Sequence, residues 1–417
     1  MTSIHHSKMR CGLIGEHLGH SFSPLIHACL ADYSYKLIEI APDKLGEFVA
    51  DKKLDAYNVT IPYKKAIMPY LDVISPEALA IGAVNTVVRK GNKLYGYNTD
   101  YFGFCYMLDC SGIEVADKKI LVLGTGGAAA TACAVLRDRG AKDIITLSSV
   151  DNTPDNIKLH ADAEIVVNAT PVGTYPNNLI SPVDLDNFPK LCGVLDVIYN
   201  PARTALLLQA EQLGVPHING LPMLVAQAVR AFELFTDTCA EHGACERIIE
   251  KIQFDTENII LIGMPGSGKS TAARIIAEKL DRPFLDSDVV FEEKFGKTPA
   301  EVIVSEGEEA FRQMESEIIL ELGKKSGCVI ACGGGVVTKE RNYAPLHQNG
   351  VIVFLERALE NLSKRGRPIS ASCSIEELYN SRIDAYNAFA DIKIDSTEIP
   401  DKTAELIIET LRNRGKI

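Results

Sequence analysis

One stretch of nine residues, GMPGSGKST from Gly263 to Thr271, constrains the fold of this chain more than any other. An apolar, β-branched run, Ile259 to Ile262, precedes it, and apolar residues recur at helical spacing after it. This order of strand, glycine turn and helix is the context in which the pattern G-x-x-x-x-G-K-[ST] binds phosphate. The glycines let backbone N–H groups converge on an anion, and the helix N-terminus adds partial positive charge. We therefore predict a nucleoside triphosphate site.

Two side chains of this turn have the chemistry to act on a triphosphate. Lys269 can reach the outer phosphates, and the Ser270 hydroxyl can take a place on Mg²⁺. Asp286 and Asp288 end a further predicted strand, where one carboxylate can organise hydrated Mg²⁺ and the other can accept a hydrogen bond from an attacking hydroxyl. The same pair also fits a simple strand-end turn. We predict Ser270 and Asp286 as metal ligands, and we assign the nucleotide to Gly266, Ser267, Gly268, Lys269, Ser270 and Thr271.

The composition of the 417-residue chain limits the classes of partner. At roughly 150 residues per domain, the length suggests about three structural units. Hydrophobic residues make up 46%, charged residues 24%, and the formal net charge is -12, which argues against a broad nucleic-acid or anionic-membrane surface. No apolar run is long enough to span a bilayer, and the N-terminal residues lack the apolar core of a signal peptide. Eleven cysteines without C-x-x-C spacing indicate reduced thiols, so we expect a cytoplasmic protein.

Polar residues gather at the ends of predicted strands and helices in the N-terminal part of the chain. Lys64 opens a helix, where a cation is electrostatically misplaced, and Asp100 stands where a helix cap is expected. Each residue, taken alone, also fits a cap, a turn or a solvated side chain. Together they supply the groups needed to hold a small polyhydroxylated acid and to move a proton: Ser21, Ser23, Asn58, Thr60, Lys64, Asn85 and Asp100.

A second glycine-rich turn follows an apolar strand, Lys119 to Leu123, and opens a helical stretch. It has the pattern G-x-G-x-x-A, in which Gly124 makes the tight turn and Gly126 admits a pyrophosphate. This context predicts a dinucleotide site. Strands predicted over Glu164 to Thr170 and Gly193 to Tyr199 alternate with helices. We therefore expect an α/β fold with a doubly wound parallel sheet and its ligand at the carboxyl ends of the strands.

The strand that follows this helix bears on the choice of dinucleotide. It is predicted over Asp143 to Leu147, and Ser148 and Ser149 come directly after it. An NAD site would place an acidic residue here for the ribose 2′-hydroxyl, and an NADP site would place an arginine for the 2′-phosphate. Neither is present at the two positions, so these residues leave the choice between NADP and NAD open.

Eight spaced motifs resemble the shikimate dehydrogenase family over roughly residues 9 to 245: HSFSPLIH, NVTIPYKK, GAVNT, GYNTD, GTGGAA, NATPVG, DVIYNP and NGLPMLVAQA. The resemblance implies a substrate-binding domain at 9–103, completed by a helix at about 221–245. It also implies a Rossmann-like dinucleotide-binding domain at 104–220. The charged residues 245–258 have a helical pattern, and we expect the last helical turns of the first half there, with a linker at 246–256.

By motif position, this resemblance implies a role for each candidate residue. Ser21 and Ser23 would bind the substrate carboxylate, and Lys64 and Asp100 would be the catalytic pair. The other substrate contacts would come from Asn58, Thr60, Asn85, Asp100, Tyr199 and Gln227. The cofactor would be held by Gly124, Gly126, Gly127, Ala128, Ser148, Ser149, Asn168, Thr170, Gly220 and Met223. The family is usually NADP-linked through an Asn-Arg-Thr type turn, which this chain lacks, so NADP(H) is the expected cofactor and NAD the alternative.

The motifs of the second half resemble the shikimate kinase family over about residues 257 to 417: GMPGSGKST, DSD, EEAFRxxE, GGGVV, RP and RxxxY. The resemblance implies a P-loop NTPase-type parallel sheet. It implies that Lys269 and Arg367 stabilise the transferring phosphoryl group, with Arg367 also contacting ATP from a closing lid. Asp288 would act on the attacking hydroxyl, and shikimate would be bound by Asp288, Arg312, Gly333, Gly334, Gly335 and Arg382. Pro-Ile-Ser follows Arg367 where the family usually has Pro-Leu-Leu, a departure that concerns the lid.

Both resemblances converge on one metabolite. We predict that the first half reduces 3-dehydroshikimate to shikimate with NADPH, and that the second half phosphorylates the new hydroxyl with Mg·ATP. The alternatives are a quinate/shikimate dehydrogenase, and a second half that is another small-molecule kinase or a regulatory P-loop module. The expected partners are these small molecules, with no nucleic acid and no membrane. The chain is expected to be a monomer or a homodimer.

Overall fold

The structure of the chain is a computed structural model, which describes residues 8–19, 21–362, 374–397 and 399–414. It divides into two compact units, Met1–Lys251 and Ile252–Ile417. Each unit is built around parallel strands whose carboxyl ends carry the candidate site residues.

The first sheet of the N-terminal unit has the strand order β2-β1-β3-β5-β6-β4. Its strands are β1 (Arg10–Gly15), β2 (Ser34–Glu39), β3 (Ala56–Val59), β4 (Val73–Ile74), β5 (Thr86–Lys90) and β6 (Lys93–Tyr97). β1 pairs in parallel with β2 and β3, whereas β5 is antiparallel to β3 and to β6. The two-residue turn at Gly91 and Asn92 produces the predicted hairpin. The helices interleaved with these strands are α1 (Ser23–Leu30), α2 (Leu45–Ala50), α3 (Tyr63–Ala66) and α4 (Pro76–Ile81).

The second sheet of this unit is parallel and has the order β11-β10-β9-β7-β8. Its strands are β7 (Lys119–Leu123), β8 (Asp143–Leu147), β9 (Ile165–Asn168), β10 (Gly193–Asp196) and β11 (His217–Ile218). Its helices are α5 (Thr99–Ser111), α6 (Gly127–Asp138), α7 (Pro154–Leu159), α8 (Ala205–Gln212) and α9 (Leu221–Thr236). Alternate residues of β7 enter different cores, with Ile120 and Val122 beside α5 and α6 and with Leu121 and Leu123 beside α7 and α8. The strand order reverses between β7 and β9, so a ligand crevice is expected at their carboxyl ends.

The C-terminal unit has a parallel sheet of order β13-β14-β12-β15-β16. Its strands are β12 (Asn258–Ile262), β13 (Phe284–Asp286), β14 (Val329–Ala331), β15 (Gly350–Glu356) and β16 (Ile392–Asp395). α10 (Ala244–Thr256) leads into it, followed by α11 (Lys269–Leu280), α12 (Ser287–Phe295), α13 (Pro299–Glu306), α14 (Glu308–Leu322), α15 (Tyr343–His347), α16 (Ile375–Asn380), α17 (Ile383–Phe389) and α18 (Pro400–Asn413). Short 3₁₀ turns of this unit lie at Val336–Thr338, Glu340–Asn342 and Leu359–Asn361. Those of the N-terminal unit lie at Pro42–Lys44, Met68–Tyr70 and Leu185–Asn187. Ile260 and Ile262 of β12 enter one core, and Ile259 and Leu261 enter the other.

Two predicted boundaries differ from the structure. The helix predicted over about 221–245 ends at Thr236, because Asp237 takes a left-handed conformation with φ 56° and terminates it. The linker predicted at 246–256 is helical and belongs to α10, and the boundary between the two compact units falls within that helix.

The predicted α/β class is confirmed in all three sheets. Among the described residues, no helix combines the length and hydropathy that a membrane span requires. The cysteines in the described part of the chain are free thiols.

Candidate active sites

Lys64 and Asp100 form an ion pair at the edge of the first sheet. The Lys64 Nζ lies 2.6 Å from Asp100 Oδ2, and the two side chains are 21% and 11% exposed. Lys64 sits in the first turn of α3 and Asp100 in the first turn of α5. The N-cap of α5 is Asn98, which accepts from the Tyr101 amide and so leaves the Asp100 carboxylate free for the lysine. The structure therefore brings together the two residues predicted as the catalytic pair.

A buried hydrogen-bond network includes Thr99, the residue directly before Asp100. Asn85 Oδ1 accepts from the Thr99 amide at 2.7 Å, and its Nδ2 donates to Thr99 Oγ1 at 3.1 Å. Asn58 Nδ2 donates to Thr86 Oγ1 at 3.0 Å, and the hydroxyls of Thr86 and Thr99 lie 3.1 Å apart. The two predicted asparagines are thus joined through two threonines, and this network orients the start of α5 that carries Asp100.

Tyr35 bonds to Asn58, and His27 packs on Tyr35; sequence reasoning missed both residues. The Tyr35 hydroxyl donates to Asn58 Oδ1 at 2.8 Å. The His27 ring stacks on Tyr35 with centroids 3.9 Å apart, and His27 Nδ1 lies 2.6 Å from the Tyr33 hydroxyl. Burial lowers the pKa of His27 to about 3, so the imidazole is neutral at physiological pH. The only available signal was the position of His27 one helical turn after Ser23.

The predicted carboxylate-binding serines lie together at the start of α1. Ser21 Oγ donates to Ser23 Oγ at 3.1 Å, and the Ser23 amide donates back to Ser21 Oγ. Phe22, between them, packs its ring 5.3 Å from the ring of Tyr199. Thr60 lies at the end of β3, where its methyl group faces Gly15, a position at which any Cβ would be only 2.7 Å away. Ser21 and Ser23 thus follow β1, and Thr60 follows β3, the strand paired with β1 in the first sheet.

A close approach of α5 and α9 delivers Gln227 to the network. A Cβ on Gly103 would lie 2.5 Å from the Met223 carbonyl oxygen and 3.0 Å from Gln227 Cβ, so only glycine permits this packing. Thr99 Oγ1 consequently reaches Gln227 Oε1 at 3.4 Å. Met223, predicted to bind the cofactor, lies in the core beside Phe104, and the same packing encloses most of its side chain.

The dinucleotide turn leaves open space where a ligand would bind. Gly124 has φ 113°, and a Cβ there would lie 2.8 Å from the Ala169 carbonyl oxygen, so this position requires glycine. A Cβ on Gly126, by contrast, would meet no atom of the described residues within 4 Å. Gly127 and Ala128 open α6, and a Cβ on Gly127 would lie 3.7 Å from Lys64 Cδ. The turn predicted for the cofactor therefore adjoins the candidate proton donor.

Asn168 and Asp196 tie the ends of β9 and β10 together. Asn168 Nδ2 donates to Asp196 Oδ1 at 3.0 Å, and its Oδ1 accepts from the amide and the hydroxyl of Thr170. Asn168, predicted to contact the cofactor, is fully buried at the carboxyl end of β9, and these bonds fix the orientation of its side chain. Thr204 Oγ1 and the Ile198 amide also donate to Asp196. Burial raises the pKa of this fully enclosed carboxyl to about 6.

We expect Asp196→Asn to remove the contribution of Asp196 to the pH dependence of the free energy of unfolding. Because the folded-state pKa lies above the ordinary 3.8, the stabilisation from the protonated form is fully present below about pH 4 and is lost as the pH rises through about 6. The loss should approach about 3 kcal/mol, since one pKa unit corresponds to about 1.4 kcal/mol. An amide can keep its oxygen on Ile198 and Asn168 and turn its nitrogen to the Thr204 hydroxyl. Urea unfolding followed by circular dichroism at pH 4 and pH 7.5 measures the difference.

The matched control for Asp196→Asn is Asp186→Asn, which changes an exposed aspartate of the same unit. It should unfold like the parent protein at both pH values. Equal pH dependence in the parent and in Asp196→Asn would contradict the assignment of the titration to Asp196.

Gly220 and the loop after β10 hold α9 against the second sheet. A Cβ on Gly220 would lie 2.0 Å from the Val197 carbonyl oxygen, and the Gly220 amide donates to the Ile198 carbonyl at 2.9 Å. Gly220 therefore serves the contact between that loop and α9, and Tyr199 lies on the same loop.

The turn after β8 contains a carboxylate that sequence reasoning missed. The Ser148 hydroxyl donates to Asp151 Oδ2, and the Asp151 amide donates back to Ser148 Oγ at 3.2 Å. Ser149 is exposed beside this turn. The position expected to recognise the ribose is therefore a compact serine–aspartate turn without an arginine.

The phosphate-binding turn of the C-terminal unit holds Lys269 in place. Its Nζ donates to the carbonyl oxygens of Gly263 and Met264 at 2.9 Å each. Gly263, Gly266 and Gly268 have positive φ angles, which lets the backbone curl around this side chain. The Ser267 hydroxyl is buried without a hydrogen-bond partner among the described residues, while Ser270 and Thr271 are exposed at the start of α11. The turn thus has the shape that the motif predicts.

Ser270 and Asp286 lie together, as predicted for a metal site. The Ser270 hydroxyl donates to Asp286 Oδ2 at 2.7 Å, and Asp286 also caps α12 by accepting from the Asp288 amide. A hydroxyl and a carboxylate are hard oxygen ligands, which suit Mg²⁺ that keeps several waters. Within the described ranges, no cluster of three or more His, Cys, Asp or Glu residues is placed to hold a metal. This ligand set fits a magnesium ion that is bound largely through water and phosphate.

The three glycines after β14 each make room for a different group. A Cβ on Gly333 would lie 3.1 Å from Asp288 Oδ1, a Cβ on Gly334 would lie 2.8 Å from Pro265, and a Cβ on Gly335 would lie 2.2 Å from the Arg312 guanidinium. The Gly333 amide also donates to the Ser287 hydroxyl at 2.8 Å. The glycines therefore bring the phosphate-binding turn, the start of α12 and the middle of α14 together.

Two buried arginines lie against this glycine loop. Arg312 donates to Glu315 at 2.8 Å and to Glu308 at 3.0 Å, and Arg382 donates to the Gly334 carbonyl at 3.0 Å. Glu315, which sequence reasoning left without a role, lies one helical turn from Arg312. Burial raises the pKa of Glu315, and Arg312 opposes that rise. Arg367 lies outside the described residues, as does the segment on which the lid was predicted.

Two family models and a curated relative match different parts of the chain. The model of the shikimate dehydrogenase substrate binding domain matches residues 13–87, and that of shikimate kinase matches residues 265–412. Shikimate dehydrogenase (NADP(+)) of Clostridium beijerinckii is 40% identical over 246 residues, covering 54% of this chain and 91% of the relative.

Two solved structures are similar to the N-terminal part of the chain. One is shikimate dehydrogenase 1 of Peptoclostridium difficile, with 36% identity and a TM-score of 0.54, covering 58% of this chain and 97% of that protein. The other is shikimate 5-dehydrogenase of Thermus thermophilus in complex with NADP(H) and shikimate, with 30% identity and a TM-score of 0.53, covering 58% and 99%. The chain therefore belongs to the shikimate dehydrogenase family, and a shikimate kinase domain follows in the same polypeptide.

Proposed function

We propose that the two units of this bifunctional shikimate-pathway enzyme catalyse different reactions. The N-terminal unit reduces 3-dehydroshikimate to shikimate, and the C-terminal unit phosphorylates the 3-hydroxyl of shikimate. The observation that carries the proposal is the Lys64–Asp100 ion pair beside the dinucleotide turn, in a chain that also has a phosphate-binding turn. Residues 9–103, with the first part of the 221–245 segment, would bind the substrate, and residues 104–220 would bind the dinucleotide. Residues 257–417 would form the kinase.

In the reduction, the protein must place a proton donor at the ketone oxygen. Bound NADPH supplies the hydride that turns this ketone into an alkoxide. Lys64 Nζ donates the proton, and the Asp100 carboxylate holds the Lys64 side chain directed at that oxygen. Ser21 and Ser23 bind the carboxylate. The hydroxyls are held by Asn58, Thr60, Asn85, Asp100, Tyr199 and Gln227.

Holding the dinucleotide falls to the carboxyl ends of β7, β8 and β9. The open space at Gly126 fits a pyrophosphate, which the N-terminus of α6 attracts through Gly127 and Ala128. The curated relatives carry NADP(+) in their names, and we propose NADP(H) for this chain as well. Ser148, Ser149, Thr170 and Gly220 border the same crevice. NAD(H) remains the alternative, because Asp151 is a carboxylate beside the expected 2′-position.

Ser149→Arg should shift dinucleotide preference toward NADPH. An arginine at this exposed position supplies the planar fork that grips a 2′-phosphate, so the ratio of the two dissociation constants should change by about tenfold or more. Quenching or enhancement of nicotinamide fluorescence measures the dissociation constants of NADPH and NADH. Ser149→Lys adds the charge without the fork and should produce a smaller shift. An unchanged ratio in Ser149→Arg would show that this residue does not face the 2′-position.

In the kinase unit, positioning and charge carry the chemistry. ATP is the second substrate, and the backbone N–H groups of Gly266 to Thr271 would hold its phosphates. Asp288 accepts a hydrogen bond from the attacking hydroxyl, and Arg312 and Arg382 bind the shikimate carboxylate. Ser270 and Asp286 would hold Mg²⁺, which supplies charge neutralisation at the phosphates. Lys269 and Arg367 act on the transferred phosphoryl group.

One reaction tests both halves together. The full chain is incubated with 3-dehydroshikimate, NADPH and Mg·ATP, and the products are identified by mass spectrometry. We expect shikimate 3-phosphate. Accumulated shikimate would contradict the kinase assignment, and untouched 3-dehydroshikimate, also with NADH, would contradict the dehydrogenase assignment. Quinate oxidation, compared with shikimate oxidation, tests the alternative substrate. We further propose that the enzyme is cytoplasmic and that it is a monomer or a homodimer. Light scattering of the purified chain distinguishes these two oligomeric states.

A further inference from the structure

Arg357 stands directly beyond the end of β15, on the edge of the sheet that carries the phosphate-binding turn. β15 pairs in parallel with β12, with Phe354 opposite Ile262. The turn leaves β12 at Gly263, so the chain after Glu356 runs beside it. Arg357 is half-buried in this position. No motif singled out this residue.

The Arg357 guanidinium adjoins the last glycine of the turn. Its Nη1 lies 4.0 Å from the position that a Cβ of Gly268 would occupy. Ser396, just beyond β16, has its hydroxyl at the same distance from that point and donates to the Ser267 carbonyl at 3.2 Å. Loops from the adjacent strands β12, β15 and β16 therefore meet around Gly268. A side chain there is within reach of whatever the turn binds.

The charge on Arg357 is not used within the fold. In residues 8–19, 21–362, 374–397 and 399–414, its guanidinium makes no hydrogen bond and no ion pair. The neighbouring carboxylate, Glu356, is engaged by Lys393 at 2.8 Å and by the Tyr379 hydroxyl at 2.9 Å. Lys269, the other cation at the turn, donates to backbone carbonyls. Arg357 is thus a half-buried cation without a counter-ion, among the described residues, beside a site built for an anion.

We infer that Arg357 is a further nucleotide-binding residue, whose guanidinium contacts the triphosphate of ATP. This inference rests on the nucleotide site proposed above. The planar fork of arginine matches two phosphate oxygens, and a partly desolvated position strengthens such a contact. The same group could instead stack on the adenine base. Its position beside Gly268, within the phosphate-binding turn, favours the phosphates.

Titration calorimetry of the full chain with MgCl₂ separates these contacts. The probes are ATP and inorganic tripolyphosphate, which has the phosphates but no base. We expect Arg357→Gln to raise the dissociation constants of both probes by the same factor, at least tenfold. Arg357→Lys should raise them less. Weaker binding of ATP with unchanged binding of tripolyphosphate would overturn the phosphate contact and indicate a contact with the base. Unchanged binding of both would overturn the inference altogether.

Two controls keep this test separate from the proposed function. Arg412→Gln removes an exposed arginine from α18 of the same unit and should leave both affinities unchanged. Absence of ATP binding in the parent chain would contradict the nucleotide site itself, rather than Arg357. The KM for shikimate should stay within about twofold in Arg357→Gln, because this residue faces the nucleotide. A parallel rise in the KM for shikimate would indicate general damage to the unit and overturn a specific contact.

Discussion

Lys64→Met should lower kcat for the reduction of 3-dehydroshikimate by about 10²- to 10⁴-fold, the range that a positioned proton donor contributes. Methionine keeps the length and the apolar stem of lysine but cannot donate a proton. The KM for the substrate should change much less than kcat, because the serines and asparagines that would bind it remain in place. Steady-state kinetics of NADPH oxidation measure both constants. Phosphorylation of added shikimate by the same preparation should continue at the parent rate.

The neighbouring Lys65→Met is the matched control for this variant. Lys65 is exposed in the same turn of α3 and should tolerate the change with no effect on either reaction. Asp100→Asn should also reduce kcat, since it removes the charge that holds the Lys64 ammonium 2.6 Å away. A Lys64→Met enzyme with parental kcat would show that the proton comes from another group.

Lys269→Met should lower kcat of the kinase reaction by about 10²- to 10³-fold or more, because it removes a preorganised positive charge from the transferring phosphoryl group. Binding of ATP should weaken as well. The carbonyls of Gly263 and Met264 lose their donor in this variant, so its unfolding is compared with that of the parent. A coupled assay for ADP release gives the kinase rate, and reduction of 3-dehydroshikimate by the same sample reports the other unit.

Lys279→Met is the matched control for Lys269→Met. Lys279 lies in the last turn of α11 and pairs with Glu405 at 2.8 Å on the surface, an interaction of small expected energy. Its loss should leave phosphorylation unchanged. Retained phosphorylation in Lys269→Met, with normal ATP affinity, would contradict the role given to this lysine.

Local sequence signals were sufficient for the parts of the fold that depend on neighbouring residues. The strands and glycine turns around Gly124 and Gly263 were predictable because a buried strand, a turn with positive φ and a helix start are each encoded within a few residues. The same holds for the hairpin at Gly91 and for the class of the sheets. Ser270 and Asp286 were predictable from the glycine turn and from a strand end of the same sheet, whereas the pairing of Lys64 with Asp100 came from the family resemblance.

Long-range contacts decided what sequence reasoning missed. The burial of Met223 depends on Gly103, far away in the chain, which lets α5 and α9 approach closely. The break at Thr236 depends on one left-handed residue, Asp237, which no periodicity reveals. The 246–256 segment has a helical pattern in the sequence, but only the structure shows one continuous helix from Ala244 to Thr256.

The amino-acid sequence by itself determined the α/β class, the two phosphate-binding turns and the pairing of a reductase-like half with a kinase-like half. Tertiary structure alone decided which polar side chains are buried and which partners they have. Asn168 bonds to Asp196 inside the fold, whereas Arg357 is a cation that no described residue neutralises at the nucleotide turn. The physical reason is that burial and partner choice depend on residues distant in the chain, and spacing along the sequence carries no record of them.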